Sequence, residues 1–423
     1  MAEEELYVLL NETMMGTLFR SSQGKLRFCY DKAYLHCSLQ IPLSLSMPLL
    51  EEEHTHDRVL PFLWGLLPDN DLLLQRWAAR FHVSASNPFA MLSIMGEDCA
   101  GAIRFIKKER FKKNSYGGKK LLSTAQIEKR LLALASDPSL TRTAEDQGQF
   151  SLAGAQTKTA LQKIGSRWFL PWGNEPTTHI LKLPRPDLAG HIENEYFCLQ
   201  LATQLGLATT QSEILHFGKT KVISIKRYDR IEHQKKMLRL HQEDICQALS
   251  IPPTKKYENM GGPGISAIMN LLNQSSHSQE DRHRFIQAII FNYLILGSDA
   301  HAKNYSLLLG HHGNVRLAPL YDIASLLPYV KQPREQRLSM RIDRSYRDDQ
   351  IHLHHFEKMA RQCEYPYSQL EETLKSFCQM IPKFSTDLTI SLKKNGLKHP
   401  ILETLSEKIN QRCKTISKKF FKS

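Results

Sequence analysis

Polar and apolar positions near the start of the chain fall into three short runs, ELYVLL, MMGTLF and KLRFCYD, separated by turn residues at Asn11-Glu12 and Gln23-Gly24. This predicts a meander of β-hairpins. VLPFLWGLLPDNDLLLQRWAARF then takes helical spacing, interrupted at Pro68, where proline removes a backbone donor. NPFAMLSIMG and the basic run IRFIKKERFKKN close this region, and SYGGKK reads as a loop. STAQIEKRLLALASD predicts a helix capped by Ser123, with Gln126 three residues on. A boundary is expected between about residues 112 and 145.

The pattern then changes. SLAGAQTKTALQKI, WFLPW, THILKLP and KVISIKRYDR are short apolar or alternating runs, interrupted by one helical segment, HIENEYFCLQLATQLG, which stops at Gly206. From about residue 240 the spacing is mostly helical, in RHRFIQAIIFNYLILGS, HHFEKMARQC, YSQLEETLKSFCQM and PILETLSEKINQRC. A strand-rich piece followed by a helix-rich piece predicts an α+β chain of two lobes, with a ligand cleft between them.

Composition removes several classes. Apolar residues are 41% and charged residues 23% of the 423, an ordinary balance for a soluble protein. No run reaches the ~18 apolar residues that span a bilayer. MAEEELYVLL places acid where a secretory signal carries base. The eight cysteines form no CxxC pair, which fits a reduced compartment, so a cytoplasmic location is expected. The net charge of +13 favours polyanionic partners. Arg104, Lys107, Lys108, Arg110, Lys112 and Lys113, and the tail KTISKKFFKS, are the candidates for nucleic-acid contact. A solvated helix face and a ragged terminus explain them equally.

Candidate chemistry concentrates in LILGSDAHAKNYSLLL, where Asp299 and Asn304 stand five residues apart between apolar runs. Asp322 follows after the turn HHGN and the strand-like VRLAPLYDIASLL. Hard Mg²⁺ prefers one or two carboxylates with phosphate oxygens. A catalytic Asp, a metal-binding Asn five residues on and a later metal-binding Asp form the protein-kinase arrangement. HRD and DFG are absent, and Tyr321-Asp322-Ile323 stands where DFG would be. A lone Asp is more often a cap; the three together favour the site. His301 and Lys303 are placed to touch phosphate or to shape the loop. Lys182 in THILKLP shares a strand face with Ile180, which calls for an anionic partner such as ATP phosphate, or else an edge strand that lets it reach water. Glu195 is a candidate to position Lys182, or a surface acid. The loop carrying Ser151, Ala153 and Gly154 either faces phosphate with its amides or forms an ordinary hairpin. The stretch Lys226, Tyr228 and Asp229 is a candidate adenine hinge, and YENMGGPGI a lid or a helix entry.

These blocks, in this order, resemble the HipA family of bacterial type II toxin–antitoxin kinases. FSLAGAQTKTAL, WFLPWGNEPTTHILKLP, KRYDR, RLHQEDICQALSIPPTKKYENMGGPGI, LILGSDAHAKNYS and RLAPLYDI carry the likeness over nearly the full length. The resemblance implies a protein-kinase-like bilobal fold. Residues 1–115 would be an N-terminal β-rich subdomain, 116–235 a linker helix with the strand-rich small lobe, and 236–423 the helical large lobe. It implies Asp299 as catalytic residue, and Asn304 and Asp322 as Mg²⁺ ligands. Lys182 would bind the α- and β-phosphates, His301 and Gln242 would line the nucleotide site, and Lys226–Asp229 would form the hinge. Ser151 matches the serine whose autophosphorylation switches the kinase off. Also implied are ATP, a glutamyl-tRNA synthetase substrate, and a helix-turn-helix antitoxin dimer on operator DNA. Lys226 departs from the family, which often carries an acid there, so adenine-side contacts are expected to differ unless backbone makes them. Competing readings are transfer of AMP or small-molecule phosphorylation on the same fold, a silent corepressor scaffold, and a metal-dependent nuclease. The last leaves Lys182 unexplained.

Overall fold

A computed structural model describes residues 3–111, 117–141, 150–154, 156–234, 236–332 and 336–421. Lys112 and Lys113 of the basic run, and the last two residues of the tail, lie outside them. The chain forms two compact units. One comprises Met1–Leu183, Leu215–Lys255 and Ser306–Val315, the other Pro184–Ile214, Lys256–Tyr305 and Arg316–Ser423.

In the first unit, the alternating N-terminal runs become β1 (Glu4–Leu10), β2 (Thr13–Arg20) and β3 (Leu26–Tyr30), an antiparallel meander. With β4 (Glu53–Thr55) and β5 (Ile103–Ile106) they make a sheet ordered β4-β3-β2-β1-β5. Helices His56–Gly65 and Asp71–Phe81 flank the expected break at Pro68. NPFAMLSIMG forms the helix Pro88–Met95, capped by the Asn87 side chain.

A second sheet holds β6 (Gly117–Leu122), β7 (Lys158–Ile164), β8 (Arg167–Gly173), β9 (His179–Lys182), β10 (Ser212–Phe217) and β11 (Thr220–Lys226), in the order β10-β11-β9-β7-β8-β6. Leu161, Leu181 and Leu183 on one face join Ile127, Leu131 and Leu134 in a dry core. Those three belong to the helix Thr124–Ser136, which begins with the expected capping box of Ser123 and Gln126. On the other face Ala160 and Ile180 pack against Phe150 and Leu152. Beyond β11, β12 (Arg230–His233) and β13 (Lys236–Arg239) form a hairpin, and β14 (His241–Asp244) pairs with β15 (Ser306–Leu309).

A buried charge cluster joins these parts. Asp98 accepts from the guanidinium groups of Arg230 at 2.9 Å, Arg239 at 3.2 Å and Arg227 at 3.4 Å, and from Thr177 Oγ1 at 2.6 Å. Asp229 takes Arg227 at 2.8 Å and the Gly101 amide at 2.8 Å. All five charged groups are buried. Burial opposes ionisation of Asp98, but the surrounding arginines hold its carboxyl well below the usual carboxylate range. Burial and the charge of Arg227 lower the guanidinium of Arg230 to about 10. Gly101 has φ +80°, and a Cβ there would lie 2.9 Å from the backbone of Gln242, so the approach requires glycine.

The second unit is built on the helix Ser278–Ile295, buried almost all round from Phe285 to its end, as expected of a central helix. Helices His191–Gln204, Tyr367–Lys394 and Ile401–Phe420 pack together beside it. The sequence reading ended YSQLEETLKSFCQM before Pro382, yet the helix runs through it to Lys394. Apolar packing of Ile381, Leu388 and Leu392 outweighs the lost hydrogen bond. β16 (Val315–Leu317) lies at a unit boundary, and β17 (Arg337–Ile342) with β18 (Ser345–Arg347) adds a hairpin to a region read as helical. The tail is helical through Phe420, with Ile416 and Phe420 buried. Among the described residues, no helix is long and apolar enough to cross a membrane. Asp98→Ala, which takes one carboxylate from three buried guanidinium groups and leaves Arg239 with none while Arg227 and Arg230 keep Asp229, is expected to cost about 3–5 kcal/mol in urea unfolding; a loss below about 1 kcal/mol would show that the cluster is not structural.

Candidate functional site

In the second unit, the central helix ends at Leu296 in a left-handed conformation, φ 52°. Gly297 then turns its amide back to Asn292 O at 2.7 Å, where a Cβ would collide with the Asn292 side chain. This sharp exit delivers Asp299 to solvent, its side chain 69% exposed. Its carbonyl accepts from the His301 amide at 2.8 Å, and two side chains add to this. Tyr257 Oη donates to Asp299 Oδ1 at 2.6 Å, and Asn304 Nδ2 donates to the Asp299 carbonyl at 2.7 Å. The second contact fixes the Asn304 amide with its nitrogen spent on backbone, so Oδ1 is the atom left to act as a ligand.

His301 is buried beneath this loop, its ring edge-on to Tyr257 at 4.9 Å. Its Nε2 lies 4.0 Å from Asp299 Oδ1, and its Nδ1 has no hydrogen-bond partner among the described residues. Burial lowers its pKa, although Asp299 and Asp322 pull the other way. Lys303 is buried, and its carbonyl accepts from Tyr321 Oη at 2.8 Å.

Asp322 is exposed with φ 57°, a strained region for a residue other than glycine. Its flanks are pinned. Leu320 exchanges backbone hydrogen bonds with Ala208 and Thr210, and Ser325 does so with the Asn194 side chain at 2.7 and 2.9 Å. Ser325 Oγ also reaches Ile295 O at 2.5 Å. Buried Asp281 binds Arg316 at 3.0 Å and the Leu317 amide at 2.9 Å, tying the approach to Asp322 onto the central helix. The Asn304 amide oxygen and the Asp322 carboxylate are donors of the hard type that Mg²⁺ takes.

In the first unit, Lys182 is 7% exposed. β9 lies between β11 and β7, so the edge-strand alternative does not apply. Its register partner on β7 is Lys158, a residue that the sequence reading did not single out. Lys158 Nζ donates to the Ala153 carbonyl and stands beside Gly154, φ +95°. Two lysines and the Ala153–Gly154 turn therefore share one sheet face. Ser151 is fully buried, donating to Leu66 O at 2.5 Å. Tyr228 Oη bonds Gln242 Oε1, and burial, with the charge of Asp229, raises the phenol. Lys226 is exposed at the end of β11, whereas the Asp229 carboxylate is committed to arginines. Glu195 is 1% exposed, so it is no surface acid. YENMGGPGI proves to be a helix entry, leading into Ile265–Leu271. Of the basic run, Arg104 is buried, Arg110 pairs with Glu97 and Lys108 with Glu5. Tyr257 and Lys158 were illegible beforehand because only tertiary register brings them to Asp299 and Lys182.

Residues 6–106 match the HipA N-terminal domain, and residues 150–384 match the HipA-like C-terminal domain. A putative kinase of Sinorhizobium fredii, Y4mE, is 34% identical over 75% of this chain and 76% of its own. The serine/threonine-protein kinase toxin HipA of Shewanella oneidensis is 27% identical over 90% of this chain and 89% of its own. The structure of the Shewanella HipA, solved with HipB and operator DNA, superposes with a TM-score of 0.83 at 24% identity, covering 98% of this chain and 97% of that one. The α+β fold expected from the sequence, with a strand-rich small lobe, a helical large lobe and an N-terminal β-rich subdomain, is thereby borne out.

The folded state binds the His301 proton more weakly than the unfolded chain does, since burial lowers its pKa. Its contribution is therefore intact above the ordinary imidazole value of about 6.5 and declines as pH falls below it. NMR titration is expected to place the His301 midpoint under 6.5; a midpoint at or above that value would contradict the burial described.

Proposed function

Because this chain belongs to the HipA family, we propose that it is an ATP- and Mg²⁺-dependent serine/threonine protein kinase acting as a growth-arresting toxin. The observation that carries this reading is the Asp299–Asn304 loop, with Tyr257 holding one carboxylate oxygen and the Asn304 amide oxygen presented beside it. Asp299 Oδ2 takes the proton of the acceptor hydroxyl. The acceptor oxygen bonds the γ-phosphorus as the bond to the ADP oxygen breaks. Asn304 and Asp322 hold the metal, which when bound neutralises charge on the phosphate oxygens. Lys182 and Lys158 attract the phosphates, with the amides of Ala153 and Gly154 beside them. His301, neutral near pH 7 and with an orphaned nitrogen, lines the nucleotide site together with Lys303, Tyr321 and Gln242. The hinge from Lys226 through Tyr228 to Asp229 meets adenine through backbone, since the Asp229 carboxylate is engaged elsewhere.

Ser151 is the proposed site of self-inactivation. Its hydroxyl faces a carbonyl oxygen among Phe150 and Leu152, where a phosphate dianion cannot remain. Modification therefore expels the loop and removes Ala153 and Gly154 from the phosphates. The acceptor protein is a translation component, by family resemblance the glutamyl-tRNA synthetase. A helix-turn-helix antitoxin dimer on operator DNA is the proposed partner, supported by the HipB–DNA complex of the Shewanella relative. The cytoplasm is the proposed location.

Intact mass before and after Mg-ATP tests the chemistry. Dephosphorylated protein is expected to gain about 80 Da, lost in Asp299→Asn and in Ser151→Ala. A gain equal to AMP would replace phosphoryl with nucleotidyl transfer, and no gain would favour the silent scaffold or a kinase that modifies only its partner.

A further inference from the structure

The second unit contains a cavity of about 380 Å³ that the proposed transfer chemistry leaves unused, bordered by Glu258, the Gly261–Gly264 loop, Arg341, Asp343, Tyr346 and Met359. It adjoins the catalytic loop by two routes. Glu258 follows Tyr257, whose hydroxyl binds Asp299, and Ser339 on β17, two residues before Arg341, bonds the Ser298 carbonyl.

The lining has a definite chemistry. Glu258, 12% exposed, binds the guanidinium of Arg341 at 2.9 Å and its backbone amide at 2.7 Å. Arg341 itself is 53% exposed. Asp343, at φ 55° in the β17–β18 turn and 8% exposed, accepts from Gln362 through Oδ1 at 3.1 Å. Its Oδ2 has no partner among the described residues. Two carboxylates against one arginine leave the cavity with a net negative charge. A phenol ring and a thioether supply apolar wall for an aliphatic stem. Carboxylates favour the fork of a guanidinium or the point charge of an ammonium, and the chain's own Arg341 already demonstrates the pairing.

We propose that this cavity receives a lysine or arginine side chain of the acceptor polypeptide, a few residues from its phosphorylated hydroxyl. The inference rests on the kinase reading above and names the substrate feature that the same site selects. Asp343 and Glu258 bind the cationic tip, and Tyr346 and Met359 flank the stem. An acidic residue at that offset meets like charge, and a neutral one leaves the carboxylates without a cationic partner, which disfavours both.

A serine-peptide array, scanned with lysine, arginine, citrulline and glutamate on both sides of the acceptor, tests this with the full-length chain and radiolabelled ATP. Incorporation is expected to require lysine or arginine at one fixed offset. Citrulline there, and separately Asp343→Asn, are expected to raise the peptide KM about tenfold with kcat within about twofold. Asparagine tolerates the left-handed conformation at 343, and the citrulline arm needs no variant. Peptide labelling without basic preference overturns the inference and leaves the kinase reading standing. So does label on the chain itself with none on any basic peptide. No label on chain or peptide overturns both.

Discussion

Five buried charges decide how the strand-rich unit is assembled. Asp98 and Asp229 are surrounded by Arg227, Arg230 and Arg239, and all of these groups are buried. Removing ions from solvent is costly unless each finds several partners, and here each does. Asp98 belongs to the N-terminal domain, while the three arginines belong to the C-terminal one. The cluster thus joins these segments more selectively than an apolar interface of similar size, since each arginine must meet a particular carboxylate or carbonyl, although Arg230 Nε and Arg239 Nη2 find no hydrogen-bond partner among the described residues. It also fixes the segment that leaves β11, because Arg227 and Asp229 follow that strand closely.

The helical unit solves a different problem, that of holding short polar loops still. Asp299 and Asn304 sit on a segment with little apolar content of its own, and Asp322 is the exposed polar position of an otherwise largely buried run. Rigidity is imported: the buried helix Ser278–Ile295 supplies a fixed exit at Leu296, and Asp281 at its other end clamps the strand leading to Asp322. Asn194 and Ser325 lock the far side. Asp322 accordingly persists in a backbone region that carboxylate residues seldom occupy. Such local strain survives only where the surroundings over-determine the conformation.

Local features of the chain were legible in advance because they depend on near neighbours. The β1–β3 meander, the Pro68 break, the Ser123–Gln126 cap and the spacing of Asp299 and Asn304 all follow from residues within one turn or one strand of each other. The helix through Pro382 was not, since packing against Ile401–Phe420 overrides the local preference. Neither was the β17–β18 hairpin. The arginine cluster was invisible for a stronger reason: Asp98 and Arg230 are far apart in the chain, and nothing local in KRYDR marks Arg227 for a buried ion pair. Lys158 and Tyr257 escaped notice likewise, as register and loop closure alone give them meaning.

The pairing of Lys158 with Lys182 on adjacent strands has an evolutionary corollary. Like charges directly opposite on a sheet weaken it, so replacing either lysine by a neutral residue relieves repulsion between β7 and β9. Drift under selection for stability alone would therefore erode this lysine pair first. A lineage that keeps both lysines records continuing demand for the anion.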